Sequence, residues 1–260
     1  MASLFGDFCN NIRQKRTSKH DLLSRVLAPV TVLFSLVATG GVKAMRVGSV
    51  VVVLALLGGS TALADDAGLQ LPPNWFAGLP SPKTRTVKDP IFDSMIFGKL
   101  KVVFEKSRLA DVAAEVKGSR IKHRGDAGES MYWLCYRFKD KDMTGQLYVT
   151  AHGEMGGPEH AVGGVVLKDK ISDETDCPEL PSKLLPVNSD NGLGLGSRYE
   201  DFLLHLGKPG TRLGDRALWM VERETHLGGS PEPWTVLQSV EVEFHDGKAA
   251  TLSLNQVTSN

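Results

Sequence analysis

Two imidazoles and two carboxylates fall within nine residues in the segment His152-Gly153-Glu154-Met155-Gly156-Gly157-Pro158-Glu159-His160. Neutral imidazole nitrogen and carboxylate oxygen both ligate Zn2+, and Gly153, Gly156 and Gly157 allow the loop to fold back so that separated ligands converge. His152, Glu154 and His160 are therefore the candidate ligands of a metal-binding or metal-dependent hydrolytic site. Their spacing matches no established zinc signature. The competing reading is a polar turn between two strands.

A second candidate is the run Met131-Tyr132-Trp133-Leu134-Cys135-Tyr136-Arg137-Phe138. Side chains alternate across a strand, so Tyr132, Leu134, Tyr136 and Phe138 share one face and Met131, Trp133, Cys135 and Arg137 the other. A sheet covered on one side alternates apolar with polar, whereas this strand is apolar on both. Either its second face is buried between two halves of the chain, or it is a partner surface rich in tyrosine. In the latter case Tyr132, Tyr136 and Phe138 are the contact residues. No nucleophile elbow or phosphate loop is present, and Gly192-Leu193-Gly194-Leu195-Gly196 lacks the Lys-Ser/Thr of a phosphate cradle. No catalytic residue is assigned.

The elements around these candidates form two similar series. Ser107 precedes a helical stripe of Leu109, Val112, Ala113 and Val116 that ends at Gly118; Ser197 precedes Tyr199, Phe202, Leu203 and Leu206, ending at Gly207. Ser197 and Glu200 have capping-box spacing. Seven residues after each Gly comes a Gly-Asp pair, Gly125-Asp126 and Gly214-Asp215, with an Asp suited to a structural turn. Each series then reads Trp-x-x-x-Arg, at Trp133 to Arg137 and at Trp219 to Arg223, with three fewer residues before the second Trp. Alternating strands follow: Leu147, Val149 and Ala151, then the run Val162 to Leu167, in the first; Val240, Val242 and Phe244 up to a turn at Asp246-Gly247, then Leu252 and Leu254, in the second. These patterns predict an α+β chain of two tandem units, each a short helical segment on an antiparallel sheet, at 93–177 and 193–260. A Pro-rich extended lead-in occupies 65–92 and a linker 178–192.

The chain has 260 residues with 30 basic and 30 acidic side chains, so no net positive field exists to collect nucleic acid. Residues 1–64 hold seven Lys/Arg and two acids, which leaves the remainder at a net charge of −5. From Met45 the sequence resembles an export signal: Arg46, an apolar run from Val47 to Leu57, and Ala62-Leu63-Ala64 before the expected cleavage at Asp65. Two accounts of residues 1–44 stand: Met45 is the start, or the leader is longer and includes the apolar run Val26 to Val37. The membrane is met only through this leader, if it stays uncleaved. Cys135 and Cys177 remain after cleavage, and an even pair in an oxidising compartment predicts one disulfide, with two unrelated thiols as the alternative.

The stretch Gly194-Leu195-Gly196-Ser197 through Leu206-Gly207-Lys208-Pro209 resembles a motif of small exported proteins of the SmpA outer-membrane assembly type. The duplication and the leader resemble the beta-lactamase inhibitor protein. The motif spans about 16 residues, and Lys117-Gly118-Ser119 departs from it in the first series. The resemblance implies helix-on-sheet units and a binding role. The expectation is a periplasmic or secreted, non-enzymatic binding module for a protein or cell-envelope component, without cofactor; the alternative is the zinc site of His152, Glu154 and His160.

Overall fold

Alternation of apolar and polar residues builds long antiparallel strands in both halves of the chain. The computed structural model describes Leu79 and residues 82–125, 130–140, 143–153, 159–170, 176–226 and 232–259. The leader, its cleavage position and Glu154 lie outside these residues. In chain order the elements are β1 (Arg85–Thr86), β2 (Ser94–Phe97), β3 (Leu100–Val103), α1 (Leu109–Val116), β4 (Lys122–Arg124), β5 (Met131–Asp140), β6 (Met143–His152), β7 (Gly164–Asp169), a 3-10 turn (Ser182–Leu184), β8 (Val187–Ser189), α2 (Tyr199–Leu206), β9 (Thr211–Leu213), β10 (Arg216–Thr225), β11 (Trp234–His245) and β12 (Lys248–Ser259). The fold is α+β with sheet predominating. Among the described residues no helix is long and apolar enough to cross a membrane.

Two meanders, β5-β6-β7 and β10-β11-β12, share one sheet. Its order is β1-β10-β11-β12-β7-β6-β5-β4, with β9 also beside β10. The halves meet where β7 pairs antiparallel with β12, and that ladder is symmetric about Val166↔Ser253: Val165 faces Leu254 on one side of it and Leu167 faces Leu252 on the other. A small sheet, β3-β2-β8, stands apart. The stretch 178–192, expected to be a linker, thus supplies the 3-10 turn and a strand that pairs with β2. The lead-in supplies β1, parallel to β10 at Val221 and Glu222.

Both helices, the small sheet and one face of the large sheet enclose a single apolar core. On α1, Leu109, Val112 and Val116 are buried; on α2, Phe202 and Leu206 are, with Phe202 between Trp219 at 5.7 Å and Phe244 at 5.5 Å. Side chains of that size each contribute about 1.5–3 kcal/mol on full burial. Neither serine caps its helix. Ser107 Oγ accepts from Val103 N–H at 3.0 Å and Ser197 Oγ from Gly194 N–H at 3.1 Å, each holding the preceding turn, while Arg108 and Arg198 are the N-caps. Asp201, not Glu200, completes the box by accepting from Arg198 N–H at 2.8 Å. The predicted capping positions were one residue early.

The Trp-x-x-x-Arg correspondence is not a structural one. Trp219 lies in the main core and donates from Nε1 to Gly207 O at 2.8 Å, at the end of α2. Trp133 lies on the opposite face, in a second cluster with Cys135, Tyr148, Val166 and Cys177. Following the ladders outward from the seam, Leu254 leads through Val240 to Trp219, and Leu167 leads through Leu147 to Tyr136. Tyr136 therefore occupies the place of Trp219. A shift of three residues flips a strand side chain to the other face, which is why two tryptophans with similar neighbours in sequence have unrelated surroundings.

The same outer face carries Arg216 and Glu241 in an ion pair, the Glu241 side chain 2% exposed. Burial raises the Glu241 pKa from 4.5 to about 7; Arg216 opposes that shift and Glu243 adds to it. Between these two values the folded chain holds more protons than the unfolded chain, so this contribution to stability falls as pH rises through the window. Replacing Glu241 by Gln is expected to stabilise the protein by about 1–2 kcal/mol at pH 8 and to change little at pH 5. Urea denaturation at the two pH values measures this; equal effects at both would contradict it.

Candidate functional site

Three aromatic rings meet at one edge of the large sheet. Tyr132, near the start of β5, stacks with His123 of β4, ring centroids 4.2 Å apart and planes 22° from parallel, and makes a tilted contact with His160 at 5.1 Å and 37°. The pairing of His123 with Tyr132 across the β4–β5 ladder puts the first two rings on the same face. His160 is brought in by the strap ahead of β7: its carbonyl accepts from Leu109 N–H at 2.9 Å, and Val162 N–H donates to Ser107 O at 2.8 Å, tying the strap across the start of α1. Gly153 completes the seat. Its φ is +140°, and a Cβ there would come within 3.2 Å of His160 Cε1, so the imidazole lies over bare backbone.

Polar groups border the column. Ser130 Oγ lies 3.3 Å from His123 Nε2, and Arg108 Nη1 donates to Glu159 at 2.8 Å. Among the described residues the buried Nε2 of His160 has no hydrogen-bond partner. Lys122 pairs with Asp176. Lys117, Arg120, His123 and Arg124 are exposed, and from Lys117 through Gly125 the sequence has five basic or histidine side chains and no acid. This arrangement can stack a planar or apolar group against the rings and attract negative charge along β4.

The candidate residues divide among different places. Tyr132 and His160 meet in the column. Tyr136 and Phe138 are core side chains: Tyr136 is fully buried and Phe138 covers Gly145, the residue opposite it on β6, where a Cβ would come within 2.6 Å of the phenyl ring. His152 pairs with Met131 on the face opposite Tyr132, so strand alternation separates it from His160. Glu154 lies outside the described residues. Cys135 and Cys177 form a disulfide. Asp176 joins them in the group that metal-ligand spacing picks out among the described residues, its three potential ligand atoms within 4.8 Å of one another, but both sulfurs are committed to the bond. His123, Ser130 and the basic run escaped the reading of the sequence. A nine-residue stretch of basic and neutral residues within a net-acidic domain was the available signal.

Comparison with protein-family models, with curated proteins and with solved structures finds no match.

Two substitutions separate core from surface roles. Burial pushes the Tyr136 hydroxyl up to a pKa of about 12, and among the described residues it has no hydrogen-bond partner. Tyr136→Phe is therefore expected to leave stability unchanged or raise it by about 1 kcal/mol, whereas Tyr136→Ala costs about 3–5 kcal/mol; chemical denaturation distinguishes these from the null effect of a surface tyrosine. His152 is solvent-exposed, yet the protein atoms crowded around it lower its imidazole pKa from 6.5 to about 4. Between those values the unfolded chain holds the additional proton, so stability falls as pH drops through the window. His152→Gln should flatten the melting temperature between pH 6.5 and 4.5, and a slope identical to that of the parent would refute the assignment.

Proposed function

We propose that the chain is an exported, non-enzymatic binding module in which two copies of one helix-on-sheet unit form a scaffold and the first copy carries the recognition surface. Support for the copies comes from matched hydrogen bonding. Both helices have eight residues; Leu109 N–H donates to His160 O where Tyr199 N–H donates to Gly247 O, and Val162 N–H to Ser107 O where Ala249 N–H donates to Ser197 O. The disulfide is compatible with an oxidising compartment, periplasmic or extracellular.

The observation that carries the binding role is what the first copy has and the second lacks. Ten residues lie between the paired Lys122 and Trp133, against two between Leu213 and Arg216 in the corresponding hairpin. Fifteen lie between Val149 and its partner Val165, against nine between Val242 and Leu252. His123 and Tyr132 belong to the first extension and His160 to the second; where His160 stands, the second copy has Gly247 in a tight turn. The second copy packs its helix without either extension, so the added residues are surplus to the scaffold and free for recognition.

The test is crosslinking of the mature chain in cell-envelope extracts beside a Tyr132→Ala, His160→Ala double variant whose fold is checked by circular dichroism. A component captured by the parent and lost from the folded variant is the expected result. Recovery of the same components by both would remove the ring column as the recognition surface.

A further inference from the structure

The strand at the outer limit of the ring column has one edge without a partner. β4 ends the strand order of the large sheet, so among the described residues no strand pairs with its far side. An open edge offers backbone N–H and C=O groups to any extended chain, and adding a strand there is a general mode of peptide recognition. The opposite limit also ends in open edges, since β9 and β1 each pair only with β10 among the described residues, so what sets β4 apart is the chemistry of its two faces.

The two faces of β4 differ in chemistry. Lys122 and Arg124 pair with Trp133 and Met131 and lie on the outer face; His123 pairs with Tyr132 and lies on the face of the ring column. Exposed Lys117 and Arg120 lead into the strand. Asp176 already neutralises Lys122, yet no acid occurs from Lys117 through Gly125. An incoming strand would thus meet cationic side chains on one face and an aromatic, imidazole-bearing surface on the other. Because strand side chains alternate, the complementary sequence is one in which acidic and apolar residues alternate.

Resting on the reading of the ring column as the recognition surface, we propose that β4 accepts an extended segment of a protein partner with alternating acidic and apolar residues, which adds to the sheet as a further strand. Its carboxylates meet the exposed cations Lys117 and Arg120 ahead of β4, and its apolar side chains lie beside His123 and Tyr132. Backbone hydrogen bonds to β4 supply affinity and the two faces supply selectivity.

Fluorescence anisotropy of the mature chain with three labelled octapeptides tests this. The probes are alternating Glu-Val, the same sequence with central residues replaced by proline, and alternating Lys-Val. Saturable binding of the Glu-Val peptide is expected, with about tenfold weaker binding of each of the others. A Lys117→Glu, Arg120→Glu double variant, altered only at exposed positions, should lose about tenfold for the Glu-Val peptide. Equal binding of the proline peptide would leave mere charge attraction and overturn strand addition, since proline cannot donate to the ladder. Equal binding of the Lys-Val peptide, binding of none, or binding only to vesicles of anionic phospholipid would overturn the proposal as well. In the last case the basic run addresses a membrane; with no binding at all it serves to keep the edge from aggregating. Should none of the peptides bind while crosslinking in envelope extracts still depends on Tyr132 and His160, the acidic-strand inference fails alone. Should that crosslinking be indifferent to both residues, the underlying reading fails.

Discussion

The pairing of β7 with β12 determines what the rest of the molecule can be. A three-stranded meander with one eight-residue helix is too small to cover its own apolar face. Joining the two meanders edge to edge makes a single sheet whose inner face is continuous from Tyr136 through Leu167 and Leu252 to Val242, and both helices pack on that one surface. The register is pinned because a slip of one residue would turn Val165, Leu167, Leu252 and Leu254 outward together. Gly164 fits the same constraint: a Cβ there would come within 2.5 Å of Asn255 Oδ1 and Thr150 Oγ1, so the seam closes tightly on its outer side. The small sheet and the lead-in are then fastened to this frame. Gln238 accepts from Ile91 N–H and donates to Phe92 O and Gln256, while Glu105 accepts from Gln256 and from Thr258 N–H.

Periodicity made much of this frame legible. The helical stripes at Leu109 and Tyr199 and the alternation at Leu147 and Val240 are direct consequences of side-chain geometry; the strand positions and Leu109, Val112, Val116, Phe202 and Leu206 are buried, while Ala113, Tyr199 and Leu203 are half-buried. The turn at Asp246-Gly247 was visible because both residues take positive φ, which Gly and Asp tolerate. Joining of the two meanders into one sheet was not legible. Strand pairing between segments more than eighty residues apart depends on which edges remain open, and a sequence pattern describes faces rather than edges.

Identity of residue type misled where geometry decided. Trp133 and Trp219 align by name, but hydrogen-bond register makes Tyr136 the counterpart of Trp219, and the two Trp side chains serve different clusters. The same misalignment favoured Tyr136 and Phe138 as contact residues, since the strand was known to have two apolar faces and nothing in it said which one the helix covers. For the His-rich loop, parity separates two of the candidate ligands. His152 and His160 are close in sequence, but β6 turns the first to the outer face, and the strap across α1 carries the second to the inner one. Glycine in such a loop permits convergence without requiring it.

If the two halves are read as the copies proposed above, the asymmetry between them is more informative than either half alone. Requirements common to both, such as a covered core, terminated helices and closed turns, are met in the second half with a two-residue turn at Gly214-Asp215 and another at Asp246-Gly247. The longer connections of the first half add exposed backbone and conformational entropy to be overcome on folding, and a set of aromatic and cationic side chains that the core does not use. Part of that cost is offset by ring stacking between His123, Tyr132 and His160. Stacking alone does not account for the extra length, because the second half closes the corresponding hairpin with a two-residue turn and leaves β9 as an edge without any such extension. Recognition of another molecule at that edge is the reading under which the extra length has a use.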